Sequence, residues 1–148
     1  MRVGGYDTSG QAFEVAVAGG YAYVADYNAG LQVIDVRNPA APVRVGGYDT
    51  SGYAWGVAVA GGYAYVADDT AGLQVIDVRN PAAPVRAGGY DTSGSACGVA
   101  VVGGYAYVAD GDAGLQVIDV ANPAAPVRVG DYDTSGNARG VVVAGGYA

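Results

Sequence analysis

A 42-residue unit is written three times in succession without a gap, over Gln11–Gly52, Tyr53–Gly94 and Ser95–Gly136. The stretch Val57–Val66 (VAVAGGYAYV) recurs almost unchanged at Val15–Val24 and Val99–Val108. Residues Met1–Gly10 match the end of a further unit, and Asn137–Ala148 match the beginning of another. A fixed period of this size overrides any local reading. It implies a row of equivalent modules, each burying its apolar surface against its neighbours.

Within one unit the signals are those of short strands. Val15–Ala18 alternates Val and Ala with period two, and Gly19-Gly20 supplies a turn in which both residues can take positive φ. Tyr21–Ala25 follows as a second strand, and Asp26–Gly30 has turn chemistry. Leu31–Val36 reads as a third strand. Asn38–Pro42 breaks the chain, because its two prolines cannot donate to a central ladder. Val43–Tyr48 is a fourth strand, and Asp49–Gly52 turns into the next unit. No segment has a 3.6-residue period. The expected fold is therefore all-β: a β-propeller built from four-stranded antiparallel blades. Residues 11–52, 53–94 and 95–136 would form whole blades. Residues 1–10 and 137–148 would supply the outer and inner strands of split ones. Small residues on the first strand, such as Ala16, Ala58 and Ala100, suit a crowded hub, and both faces of each inner strand are expected to be buried.

Composition removes several functions. Apolar residues make up 51% and charged residues 14%, which supports a packed core and argues against disorder. Fourteen acids face seven arginines, and there is no His and no Lys. A chain with net charge −7 lacks the basic face that nucleic acid or an anionic membrane surface requires. The single cysteine, Cys97, excludes an internal disulfide and a Cys-only zinc site. Without His there is no ordinary general base near neutral pH, and without Lys no Schiff base. We therefore expect no enzyme, no cofactor and no metal. The repeat begins directly after Met1, which leaves no room for a signal peptide. The chain then reads as a cytosolic protein, a mature segment, or a piece of something longer, natural or engineered.

The segment Leu31-Gln32-Val33-Ile34-Asp35-Val36, followed by Asn38-Pro39 and Pro42 and preceded by Val24-Ala25-Asp26, resembles the LVIVD repeat. Three copies of the motif make the resemblance specific, and it covers essentially the whole chain. It implies a propeller-type repeat of bacterial and archaeal proteins, many of them exported or at the cell surface. It implies no catalytic residue. Extracellular or cell-surface localisation is thus what the resemblance adds.

The fractional repeats point to assembly. Residues 1–10, with Val3, Gly4 and Tyr6, read as an outer strand, and residues 137–148, with Val141, Val143 and Tyr147, read as inner strands. Both would be exposed edges, open to pairing with another copy. Two chains would give six whole blades and two composite ones, each a strand short, in an eight-bladed ring. A four-bladed ring from one chain is the other closure.

The units differ at few positions, which cluster before the first strand and in the turn between the second and third. The first set includes Phe13, Glu14, Tyr53, Trp55, Cys97 and Arg139, and the second Tyr27, Asp69 and Gly111. In a propeller these two sets of loops share one face. Phe13, Glu14, Tyr27, Tyr53, Trp55 and Arg139 are the candidates for a shallow polar–aromatic ligand site there. Unconstrained drift after duplication explains the same variation. The turn Asp110-Gly-Asp-Ala-Gly114 begins like a calcium loop but lacks its fifth and closing ligands. The recurring Asp35, Asp77 and Asp119 lie in an apolar strand with no repeated partner base. They read as caps on backbone amides or partners for Arg37 and Arg79. Asp49-Thr50-Ser51 reads as a local turn. Two functions follow: a self-assembling structural scaffold, or a lectin-like or protein-binding propeller that uses the variable face.

Overall fold

A computed structural model describes residues 1–148. Twelve strands alternate with turns, and there is no helix. The first sheet holds β1 (Glu14–Ala18), β2 (Tyr21–Ala25), β3 (Leu31–Asp35) and β4 (Val43–Tyr48). The second holds β5 (Gly56–Ala60), β6 (Tyr63–Ala67), β7 (Leu73–Asp77) and β8 (Val85–Tyr90). The third holds β9 (Gly98–Val102), β10 (Tyr105–Ala109), β11 (Leu115–Asp119) and β12 (Val127–Tyr132). Each sheet is a simple antiparallel meander of four neighbouring strands.

The turns follow from residue chemistry. Gly19 and Gly20 take φ of 58° and 81°, which closes the β1–β2 hairpin. In β4, Val45 is an extra residue opposite the Val33–Ile34 step of β3, a bulge repeated in the other two sheets. Gly46, next to it, allows the following blade to approach: a Cβ there would lie 2.2 Å from the Pro81 carbonyl oxygen.

Blades join through seams. The first strands β1, β5 and β9 lie side by side. In the first seam Tyr23, Ala25, Leu31 and Val33 of one blade pack against Val57, Ala64, Val66, Ile76 and Val78 of the next. The second seam repeats this with Tyr65, Ala67, Leu73 and Val75 against Val99, Ala106, Val108, Ile118 and Val120.

Three polar latches tie the units together. Thr50 Oγ1 and the Gly52 N–H donate to the Asp68 carboxylate, at 2.5 and 2.9 Å. Thr92 and Gly94 do the same to Asp110, and Thr8 and Gly10 to Asp26. All three carboxylates belong to fully buried residues. Thr50, expected in a local turn, thus reaches across a seam instead.

Two expectations change at the ends of the row. Residues 1–8 form no strand. They have no ladder neighbour, because an outer strand pairs only with a third strand. Even so, they dock on the first blade as outer strands do: Gly4 sits against the Pro39 carbonyl as Gly46 sits against that of Pro81. Val3 and Tyr6 remain exposed. At the other end Val141 and Val143 lie outside any strand, and a single bridge joins Ala144 to Tyr147, which is exposed. Nor are both faces of every inner strand buried. Val15 is 57% exposed where its repeat equivalents Val57 and Val99 are 4% and 6% exposed, because no blade covers that side of β1.

Candidate functional site

The loops entering each inner strand and the turns between second and third strands meet on one face, as expected. Paired backbone hydrogen bonds join Tyr27 to Ala54, Asp69 to Ala96 and Gly111 to Ala138. The bridges hold Tyr27 and Asp69 at φ of 53°, an uncommon backbone for a side chain of either size. The variable residues therefore stand on a braced rim.

Phe13, Trp55, Cys97 and Arg139 occupy one repeat position in four successive units, and all four line a cavity of about 550 Å³ at the mouth of the arc. Glu14, Asp69, Ser95, Asn137, Val99 and Val141 complete much of its wall. The aromatic side is a packed cluster. Phe13 meets Trp55 edge-on with centroids 4.4 Å apart, and Tyr27 lies 5.7 Å from Phe13 and 5.1 Å from Trp55. Tyr53 stacks on Tyr27 at 4.4 Å and 12°. Such pairs contribute about 0.5–1.5 kcal/mol each beyond the area they bury.

The six candidates thus divide. Phe13, Glu14, Trp55 and Arg139 line the cavity itself, whereas Tyr27 and Tyr53 form a stack behind the first two rings. Glu14 has a structural task as well: its carboxylate accepts the Val57 N–H at 2.9 Å, linking the first blade to the second. Later units carry Gly56, Gly98 and Gly140 at that position, and these glycines pack closely; a Cβ on Gly56 would come within 3.1 Å of the Gly98 Cα. Cys97 is not a ready nucleophile. Burial, with Asp69 adding to it, pushes its thiol above the ordinary value.

The acids of the third strands cap turns. Asp35 accepts the Arg37 N–H at 3.0 Å and pairs with the Arg37 guanidinium, which also lies over the Tyr21 ring. Asp77 and Arg79 repeat the arrangement. Asp119 has Ala121 in place of the arginine and still accepts its N–H. The Arg37 and Arg79 side chains hold the Asp35 and Asp77 carboxyls down to about 2. In the calcium-like turn both acids have protein donors: Asp110 takes Thr92 and Gly94, and Asp112 accepts the Asn137 amide at 3.1 Å.

Sequence reading assigned Asp26, Asp68 and Asp110 only to turns and so missed the latches. The constant 18-residue interval from Thr8, Thr50 and Thr92 to those acids follows from the gapless repeat itself and carries no separate signal of the contact. Asp69 and the capping role of Glu14 were also missed.

The LVIVD repeat matches the chain over residues 9–50, 51–92 and 93–134. No curated protein matches it.

Proposed function

The chain belongs to the LVIVD repeat family, and from that premise we propose a non-enzymatic propeller-type scaffold whose ring is completed by a second copy of itself. The observation that carries this reading is the identity of the two open faces with the two halves of a closed seam. On the first blade, Val15, Ala22, Val24, Ile34 and Val36 line a groove of about 580 Å³. Their repeat equivalents are the residues that the second blade presents to the first. On the third blade, Tyr107, Leu115 and Val117 are half-buried, where the equivalents Tyr65, Leu73 and Val75 are buried in a seam. The two open faces are thus the two halves of a seam, and a composite blade made of residues 137–148 of one copy and 1–10 of another would pack against both.

Fully burying an exposed valine contributes about 1.5–3 kcal/mol, and Val15, 57% exposed, has roughly half of that still to gain, which with its neighbours in the groove works against the cost of association. The contact is head-to-tail, and it ends only when a ring closes. Two chains with three blades each, with residues 1–10 and 137–148 pairing between copies as two composite blades each a strand short, would give an eight-bladed ring. Sedimentation equilibrium tests this reading. The expected species has twice the 14.7 kDa chain mass at micromolar concentration, and a single species at 14.7 kDa would overturn it.

A second reading is supported by the rim. Two aromatic rings, backed by the Tyr27–Tyr53 stack, line one open cavity with an arginine and two acids. This favours a small-ligand site at the channel mouth, where the rims of the seams meet.

A further inference from the structure

Glu14 indicates what kind of ligand the mouth takes. Ala60 and Tyr63 flank the Gly61–Gly62 turn and so form a hydrogen-bonded pair. Bonded and non-bonded pairs alternate along the ladder, which makes Gly56–Ala67 bonded and Val57–Val66 non-bonded. The Val57 N–H consequently points away from β6, where the Glu14 carboxylate accepts it at 2.9 Å. β9 has the same register: Val102 and Tyr105 flank the turn, and Val99 opposes Val108 in a non-bonded pair. Its N–H turns the same way, but the residue placed to meet it is Gly56, which has no carboxylate. Val99 lines the cavity beside Arg139. Arg139 forms no ion pair; the pairs in the chain are Arg37–Asp35, Arg79–Asp77 and Arg128–Asp131.

We propose that the mouth binds a small monocarboxylate with a flat apolar body. The carboxylate is held by the Val99 N–H and the Arg139 guanidinium, and the body lies against Phe13 and Trp55. Glu14 is the internal precedent: it shows a carboxylate on the equivalent N–H one seam earlier. Charge-assisted bonds of this kind are about twice as strong as neutral ones. Glu14 and Asp69 stand in the same wall and repel a second negative charge, which excludes dianions. This inference rests on the small-ligand reading of the rim and names the chemistry of that site.

The test uses Trp55, the single tryptophan, as a fluorescent reporter. The full chain is titrated with benzoate, benzyl alcohol and benzylamine. Expected is a saturable response to benzoate, with the two other probes at least tenfold weaker. Arg139→Gln weakens benzoate about tenfold. Glu14→Gly frees a second N–H, removes a repelling charge, and tightens benzoate several-fold. Both side chains are exposed, and circular dichroism confirms that each variant is folded. Equal binding of all three probes, unaffected by Arg139→Gln, overturns the carboxylate assignment while leaving a site at the rim. No saturable response to any probe at tens of millimolar overturns both.

Discussion

Thr50 donates its hydroxyl to the fully buried Asp68 across the seam between the first two blades, at 2.5 Å. The Gly52 N–H fills the other carboxylate oxygen. The largely apolar seam thereby gains a buried directional contact beside the Glu14–Val57 and Tyr27–Ala54 bonds near the mouth.

Thr50→Val leaves a buried carboxylate oxygen short of a partner. We expect a loss of about 1–3 kcal/mol in urea unfolding. Thr134→Val is the internal control. Thr134 is the same repeat position but is exposed and latches onto no aspartate, so its change is expected to be within about 0.5 kcal/mol. Equal effects at the two positions would mean that the latch adds nothing.

Stability should depend on pH in two opposed stages. Burial lifts the Asp68 and Asp110 carboxyls above the ordinary range, against the pull of their Thr and Gly donors. Their folded form favours the proton. Their contribution is therefore fullest below the unfolded carboxylate pKa of about 3.9 and shrinks as pH rises through the raised values. Asp35 and Asp77, held at about 2, act in the opposite sense: their contribution is present above about 3.9 and is lost as pH falls toward 2. The urea midpoint should hold or rise from neutral into mild acid, then fall between about pH 4 and pH 2. Asp68→Asn should remove part of the mild-acid gain. A midpoint that declines steadily from neutral pH would contradict the assignment.

Val15→Asp and Val57→Asp separate association from folding. Val15 is 57% exposed, so its aspartate should leave the circular dichroism spectrum unchanged while abolishing the double-mass species in sedimentation. Val57 is the same position inside a closed seam, at 4% exposure. Its aspartate buries an unpaired charge and should cost several kcal/mol, enough to unfold the second blade. Undiminished association by Val15→Asp would remove the first blade's groove from the interface.

Gly56→Ala tests the packing of the inner strands at the mouth. The new methyl would lie 2.7 Å from a Glu14 oxygen and 3.0 Å from the Cys97 carbonyl oxygen. The backbone cannot give way as a flexible side chain can, so a loss of about 1–3 kcal/mol is expected in thermal or urea unfolding. Gly140→Ala meets nothing within 4 Å and should be neutral.

The strands were legible in the sequence because the turns announce them. Gly19-Gly20 and Asn38–Pro42 bracket β1 to β4 to within a residue at each end. The meeting of variable loops on one face also followed from strand order alone. What period and pattern could not supply was contact between units. Thr50 and Asp68 are each ordinary turn residues, and only packing of successive blades brings them together. The state of the outermost pieces was hidden for a related reason. Residues Val3–Tyr6 have the same letters as a β4 strand, but a strand needs a ladder neighbour as well as a pattern. Glu14 was recognisable as an exception among glycines, yet its acceptor role depends on the direction of the Val57 N–H.

Gly46 meets Pro81 by the same contact with which Gly88 meets Pro123. The apolar core and the latch of a seam do not record which blades they join; only the variable rim does, as Glu14 on Val57 shows. Copying or deleting a whole unit through unequal recombination therefore leaves the core contacts intact and alters the number of units in the row. Mutational drift in length is nearly free for the individual blade, and selection acts on it through curvature: whether the accumulated turn of the row lets its two ends meet.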